Sequence, residues 1–168
     1  AALAQLPHLD WRLTIAGCGP LRDTLEKQAH ALGIADRIDF IGYVGDPDRI
    51  AALMGEADLL LQPSRWEGLC ATLIEALACG AGVVATDCTP NIRPILAAAG
   101  QHPAVPVGDA AAFARAIERA LARPATPALL RDAVRDHGVT SALDAYLRAF
   151  ASVARQPERS PILSPAFP

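Results

Sequence analysis

The chain has 168 residues, enough for one domain with a sizeable core and short for two. Apolar residues make up 52% and charged residues 20%, which excludes a disordered or low-complexity chain. Net charge is −3, with 6 basic and 11 acidic side chains in residues 1–84 and 9 and 7 in residues 85–168; neither half carries the dense basic stripe that a nucleic-acid partner needs.

Taken in order, the chain alternates between β-like runs and helical ones. Arg12–Ala16 is a short strand closed by Gly17-Cys18-Gly19-Pro20. Pro20 suits a first helical turn, Leu21, Leu25, Ala29 and Leu32 follow at helical spacing, and Gly33 stops the helix. Ile38–Tyr43 is the next strand. Asp46-Pro47 opens a helix with Ile50, Leu53 and Met54 on one face. Asp58–Gln62 reads as a strand buried on both sides, ended by Pro63-Ser64. Cys70–Ala78 is helical and stops at Gly80; Gly82–Thr86 is another buried strand. A helix over Ile92–Ala99 and a short strand at Ala104–Val107 follow. Asp109 caps a helix to about Arg123 with Phe113, Ile117 and Leu121 as its stripe. After Pro124 and Pro127, helical segments are predicted near Leu129–Asp136 and Ser141–Val153. Residues 156–168 hold four prolines and read as an extended arm.

Strands alternating with helices at this spacing imply βαβ units: an α/β, Rossmann-like parallel sheet with helices on both faces, plus C-terminal helices. The expected division is residues 1–125, C-terminal helices of the same domain at 126–155, and the proline-rich tail at 156–168. Ala1–Leu6 reads as the last turns of a helix. A βαβ domain seldom begins that way, so the first strand and part of the first helix are expected upstream. In such sheets ligands sit beyond the carboxyl ends of the strands. That singles out the loops Gly17–Pro20, Tyr43–Pro47, Pro63–Cys70 and Asp87–Asn91.

The cysteines (Cys18, Cys70, Cys79, Cys88) have no metal-site or redox-motif spacing and read as buried free thiols. The histidines (His8, His30, His102, His137) have no partner at useful spacing and read as surface or capping residues. For Asp87–Asn91, capping of the following helix by Thr89 or Asn91 serves as well as a ligand-side loop, and no role is assigned. Residues 68–86 are nearly all apolar or small, but Glu75 and the Gly80/Gly82 break argue against a membrane span. No basic-then-apolar leader is visible, and a cytoplasmic location is expected.

The sharpest chemical signal is Pro63-Ser64-Arg65-Trp66-Glu67-Gly68-Leu69-Cys70-Ala71-Thr72-Leu73-Ile74-Glu75-Ala76, in which two carboxylates are separated by seven residues. Glu67 falls on a strand-to-helix loop and Glu75 inside the helix. Between them, Gly68 permits a tight path and the first helical amides lack intrahelical partners. A helix N-terminus receives phosphate through free N–H groups and its positive dipole end. Eight residues of helix reach about 12 Å. That length suits two carboxylates holding the hydroxyls of opposite ends of a nucleotide sugar, with the diphosphate at the amides. Taken singly, Glu67 also reads as a solvated loop residue, and Glu75 as a surface position on an amphipathic helix.

This segment resembles the E-x7-E motif of retaining glycosyltransferases of the GT-B fold, especially the family-4 group (glycosyl transferases group 1). The flanking blocks LTIAGCGPLRDTLEKQAHALGIADRIDFIGYV, ALMGEADLLLQPSRWEGL and TLIEALACGAGVVATD agree, and the likeness runs from about Leu3 to Leu121. The resemblance implies one half of a GT-B fold and transfer of a hexose from an NDP-sugar with retained anomeric configuration. It places Glu67 against the donor sugar hydroxyls near the anomeric centre, as the catalytic position. Gly68 would allow the tight turn, the amides of Leu69, Cys70 and Ala71 would hold the diphosphate, and Glu75 would bind the ribose. The backbone at Tyr43 and Val44 would meet the base, with Gly17 and Gly19 bordering the nucleotide. No metal and no cofactor beyond the donor substrate are implied. The partners implied are the nucleotide sugar and an N-terminal acceptor-binding domain, the only route by which membrane association would arise.

Several positions depart from the family pattern. A glycine-arginine strand and a nearby lysine, used on the diphosphate, would lie upstream of Ala1. Cys18 replaces an acid, Cys70 stands where Gly or Pro is common, and Gly82 stands where Pro is frequent. The chain therefore reads as the donor-binding half of a two-domain enzyme, inactive by itself. The alternatives are a non-catalytic transferase-like or flavodoxin-like interaction module, and a sugar-nucleotide epimerase, for which no acid/base group over the sugar is evident. A dinucleotide fingerprint at Gly17-Cys18-Gly19 fails because Arg22 occupies the place of the third glycine. The late helices would leave Tyr146, Leu147 and Phe150 without a partner, a face expected to dimerise or meet the tail.

Overall fold

A computed structural model describes residues 1–154; the proline-rich arm expected at 156–168 lies outside the described residues. The chain divides into two units, Ala1–Val134 and Arg135–Pro168. In the first, strands β1 (Leu13–Ala16), β2 (Ile38–Gly42), β3 (Leu59–Gln62) and β4 (Gly82–Ala85) alternate with helices α1 (Arg22–Ala31), α2 (Pro47–Glu56), α3 (Ala71–Cys79) and α4 (Ile92–Ala98). Helices α5 (Ala110–Ala122) and α6 (Pro127–Ala133) close the unit. The second unit contains a 3-10 turn, Arg135–His137, and α7 (Val139–Ala154).

The strands form two parallel ladders. β1 pairs with β2, Leu13 opposite Ile38, and β3 pairs with β4, Leu59 opposite Gly82. The ladders do not join, so β1 and β3 each keep one unpaired edge. The strand expected at Ala104–Val107 is reduced to a single bridge between Val105 and Thr86. Pro103 and Pro106 flank Val105, lack an N–H, and cannot extend a ladder.

β3 and β4 separate two apolar clusters. Leu60, Val83 and Ala85 face Leu73, Leu77, Ile92, Leu96 and Leu130 of α3, α4 and α6. Leu59, Leu61 and Val84 face Phe113 and Ile117 of α5, with Leu6 and Trp11. That alternation is the period-2 consequence of strands with helices on both faces. Val83, Val84 and Ala85 are fully buried, but Leu59–Leu61 are only half-buried, which corrects the expectation that this strand is buried on both sides. The cause is the unpaired edge: no strand lies hydrogen-bonded alongside it. On the β1–β2 ladder Thr14, Asp39 and Ile41 are exposed, while Leu13 and Ile38 pack on the α5 cluster.

Helix ends follow the sequence signals where a cap has the right geometry. Asp46 accepts from the Asp48 amide and Asp109 from the Ala112 amide, starting α2 and α5. The stripe of α5 buries Phe113 and Ile117 but leaves Leu121 at its end partly exposed. The N-terminus corrects one expectation: Leu3–Gln5 is a single 3-10 turn, not the end of an α-helix. Trp11 pins it by donating to the Leu6 carbonyl at 3.1 Å. The Arg37 guanidinium lies 3.9 Å over the Trp11 ring and donates to the Leu9 and Trp11 carbonyls. His8 meets Glu118 at 2.7 Å, a pairing 110 residues apart that local spacing could not reveal.

In α7, Val139, Leu143, Tyr146, Leu147, Phe150 and Val153 form an apolar stripe at helical spacing, all exposed. Tyr146 and Phe150 stack with centroids 6.3 Å apart. Among the described residues no helix is long and apolar enough to cross a membrane.

Candidate functional site

The site is assembled at the carboxyl ends of β3 and β4. Pro63 ends β3 and the chain loops through Glu67 and Gly68 into α3. Thr86, at the end of β4, is buried, and its hydroxyl sits between the carbonyls of Gln62 and Ser64, holding the start of the loop. The Thr89 hydroxyl donates to the Gly68 carbonyl at 3.5 Å, so it reaches the Glu67 loop and does not cap the next helix. Asn91 occupies the cap position of α4 without a side-chain capping bond. At the start of α4, Arg93 pairs with Asp87; the hydrogen bond from Arg93 holds the Asp87 carboxyl below its usual range.

Glu67 is half-buried, and its Oε1 accepts from Ser64 Oγ at 2.7 Å and Gln62 Nε2 at 3.2 Å. Its second oxygen has no donor among the described residues. Glu75 is exposed on α3 and has no side-chain partner among the described residues. The ion pairs His8–Glu118, Arg22–Glu26 and Asp87–Arg93 lie elsewhere, and among the described residues none joins Glu67 or Glu75 to a basic side chain. The amides of Leu69, Cys70 and Ala71 precede the first intrahelical bonds, which run from Leu73 and Ile74 to the Cys70 carbonyl. Leu69 and Ala71 are exposed, so free donors and an unpaired carboxylate share one short segment.

Cys70 sits at the N-cap of α3 with φ 53° and ψ 47°, the only non-glycine in the left-handed region among the described residues. A β-carbon there costs about 1–2 kcal/mol, which explains why glycine suits the position. Its thiol is buried beneath the loop. Burial pushes it up to about 11, with the neighbouring Cys88 thiol and the Glu67 carboxylate adding to the rise. The four cysteines are free; Cys70 is buried, Cys79 and Cys88 half-buried, and Cys18 is exposed, which corrects the expectation of four buried thiols. Cys18 lies in the open loop after β1, where no helix covers it.

The other predicted positions lie at the end of the β1–β2 ladder. Gly17 donates to the Gly42 carbonyl at 2.7 Å, bringing the Gly17–Gly19 loop beside Tyr43 and Val44. Tyr43 is 77% exposed and Val44 half-buried. The structure thus brings Glu67, Gly68, Leu69, Cys70, Ala71 and Glu75 together on one segment, and Gly17, Gly19, Tyr43 and Val44 in a second group. No hydrogen bond or ion pair among the described residues joins the two. Sequence reasoning missed Gln62, Ser64 and Thr86; Ser64 lies three residues before Glu67, the one local signal available. Among the described residues no group of three His, Cys, Asp or Glu side chains is arranged to hold a metal ion.

Comparison with known proteins identifies the family and the fold. The family model described as Glycosyl transferases group 1 matches residues 1–137. The GDP-mannose-dependent alpha-(1-6)-phosphatidylinositol dimannoside mannosyltransferase of Mycobacterium tuberculosis (strain ATCC 25177 / H37Ra) is 36% identical over 125 residues, covering 73% of this chain and 31% of that protein. The D-inositol 3-phosphate glycosyltransferase of Gordonia bronchialis is 36% identical over 164 residues, covering 88% of this chain and 35% of that protein. Among solved structures, Anabaena HepE in complex with UDP superposes with a TM-score of 0.74 at 22% identity, covering 90% of this chain and 43% of that one. A glycosyltransferase from Rickettsia africae gives 0.78 at 19% identity, covering 93% and 43%. These structures share the GT-B fold, and the chain spans about a third of the curated relatives it matches.

Proposed function

The chain belongs to the glycosyl transferases group 1 family, and on that premise we propose that it is the donor nucleotide-sugar-binding half of a retaining, family-4 type hexosyltransferase. The observation that carries the proposal is the segment Glu67–Glu75, with free helix-start amides between two carboxylates that no ion pair among the described residues joins to a basic side chain. The diphosphate of an NDP-hexose lies against the amides of Leu69, Cys70 and Ala71. Glu75 accepts hydrogen bonds from the ribose diol, and the free oxygen of Glu67 accepts from a sugar hydroxyl beside the anomeric carbon. Tyr43, Val44 and the Gly17–Gly19 loop border the base. The names of the relatives, one GDP-mannose-dependent, and a structural neighbour holding UDP support a nucleotide-sugar ligand.

In the whole enzyme the anomeric C–O bond to the diphosphate breaks while the acceptor oxygen bonds to the same face. The acceptor proton passes to the departing phosphate oxygen. Glu67 orients the sugar and faces its developing positive charge. The acceptor comes from an N-terminal domain, and an upstream arginine and lysine balance the diphosphate, so the chain alone binds donor without transferring it. A parallel Rossmann sheet of order 3-2-1-4-5-6 supports this division. The β2–β1 ladder matches its strands 3 and 2, and β3, β4 and Val105 match 4, 5 and 6, with an upstream strand belonging between the unpaired edges of β1 and β3.

The test is a ligand-observed NMR titration with UDP, GDP and ADP and their glucose, mannose and N-acetylhexosamine derivatives. Binding that favours one base supports the reading and names the nucleotide. Silence across the panel, in this chain and in one extended upstream to restore the basic pair, would favour a non-catalytic module.

A further inference from the structure

Gln62 is the last residue of β3, following three leucines. It is buried, and its carbonyl Oε1 has no hydrogen-bond partner, the only such buried side-chain atom among the described residues. Its Nε2 donates to Glu67 Oε1 at 3.2 Å. The orientation of the amide follows from chemistry: an ionised carboxylate only accepts, so Gln62 must present its nitrogen to Glu67. Doing so leaves the carbonyl without a hydrogen-bond partner beside the buried Cys70 thiol, an unfavourable arrangement that packing alone does not require. The Gln62 backbone is itself fixed, since Thr86 reaches its carbonyl from the end of β4 at 3.3 Å.

We propose that Gln62 is a positioning residue that, with Ser64, occupies Oε1 of Glu67 and so turns the second carboxylate oxygen outward to accept a hydroxyl from the sugar of a nucleoside diphosphate hexose. The role in ligand binding rests on the function proposed above; the grip on Glu67 does not. Ser64 alone leaves the carboxylate free to rotate about one hydrogen bond, whereas two donors converging on one oxygen fix its plane. A substituted side chain with the same shape and no donor therefore loosens Glu67 without opening a cavity.

The experiment compares the chain with Gln62→Met by NMR, reading the Glu67 side-chain three-bond couplings, and by thermal melting. The expected result is one dominant Glu67 rotamer in the parent chain and averaged couplings in Gln62→Met, with the melting temperature unchanged or raised because the unpaired carbonyl is gone. Identical couplings in the two proteins would overturn the proposal, as would averaging already present in the parent. A second arm titrates UDP and UDP-glucose, or the nucleotide preferred in the panel. Gln62→Met should lose on the order of fivefold in affinity for the NDP-hexose and none for the free NDP. Equal loss for both ligands would overturn the positioning role. If neither the parent nor a chain extended upstream to restore the basic pair binds either ligand, the functional reading fails while the couplings still decide whether Gln62 holds Glu67.

Discussion

At the residue scale, Cys70 carries the conformational cost of the site. The chain must turn from the Glu67 loop into α3 within a few residues, and it does so through a left-handed residue. Both that conformation and the N-cap position favour glycine over alanine. Cys70→Gly and Cys70→Ala both lose the buried thiol, but only the alanine keeps the strained β-carbon. Urea unfolding should find Cys70→Gly the more stable by about 1 kcal/mol, the reverse of the ordinary order inside a helix. Equal stabilities, or a more stable alanine variant, would remove the strain from the account. The same scale separates what the sequence reveals from what it hides. Glu67 and Glu75 stand out in the sequence because a carboxylate interrupts an apolar run and because their spacing resembles the E-x7-E motif. Thr86 does not, because it reaches Gln62 and Ser64 from more than twenty residues away, and Gln62 does not, because it meets Glu67 only once the loop after β3 folds back on the strand end.

At the element scale, the β3–β4 ladder is the platform for the site, and Gly82 is its tightest point. Its amide donates to the Asp58 carbonyl at 3.2 Å, and an added Cβ would come within 2.9 Å of Leu59 Cδ2. In this chain proline would remove the donor and press on Leu59, whose terminal methyl can rotate away, so the lost hydrogen bond dominates. Gly82→Pro should cost about 1–2 kcal/mol in urea unfolding; no loss would mean that the Gly82–Asp58 bond contributes little. Elements with a clear period or cap, such as α2 and α5, follow the sequence reading to within a residue or two. The reading fails where context decides. Val105 keeps only one bridge between two prolines, the N-terminal residues form a single 3-10 turn, and the leucines of β3 remain half-buried beside an unpaired edge.

At the scale of the whole molecule, two parallel ladders, each with a free edge, present two groups of loops at their carboxyl ends. The family match and the GT-B neighbours account for that architecture, and the chain spans about a third of the length of the curated relatives it matches. The central claim assigns different parts of one ligand to the two carboxylates, Glu75 to the ribose and Glu67 to the hexose. The measurement that tests it most directly is the affinity of the parent chain, Glu75→Ala and Glu67→Ala for a free NDP and the matching NDP-hexose, taken side by side. Losing a charged hydrogen bond costs roughly 1.5–3 kcal/mol, about tenfold or more in affinity. The account predicts that Glu75→Ala weakens both ligands to this extent, whereas Glu67→Ala weakens the NDP-hexose alone. Parent-like affinities in both variants, or equal loss of both ligands in Glu67→Ala, would contradict it.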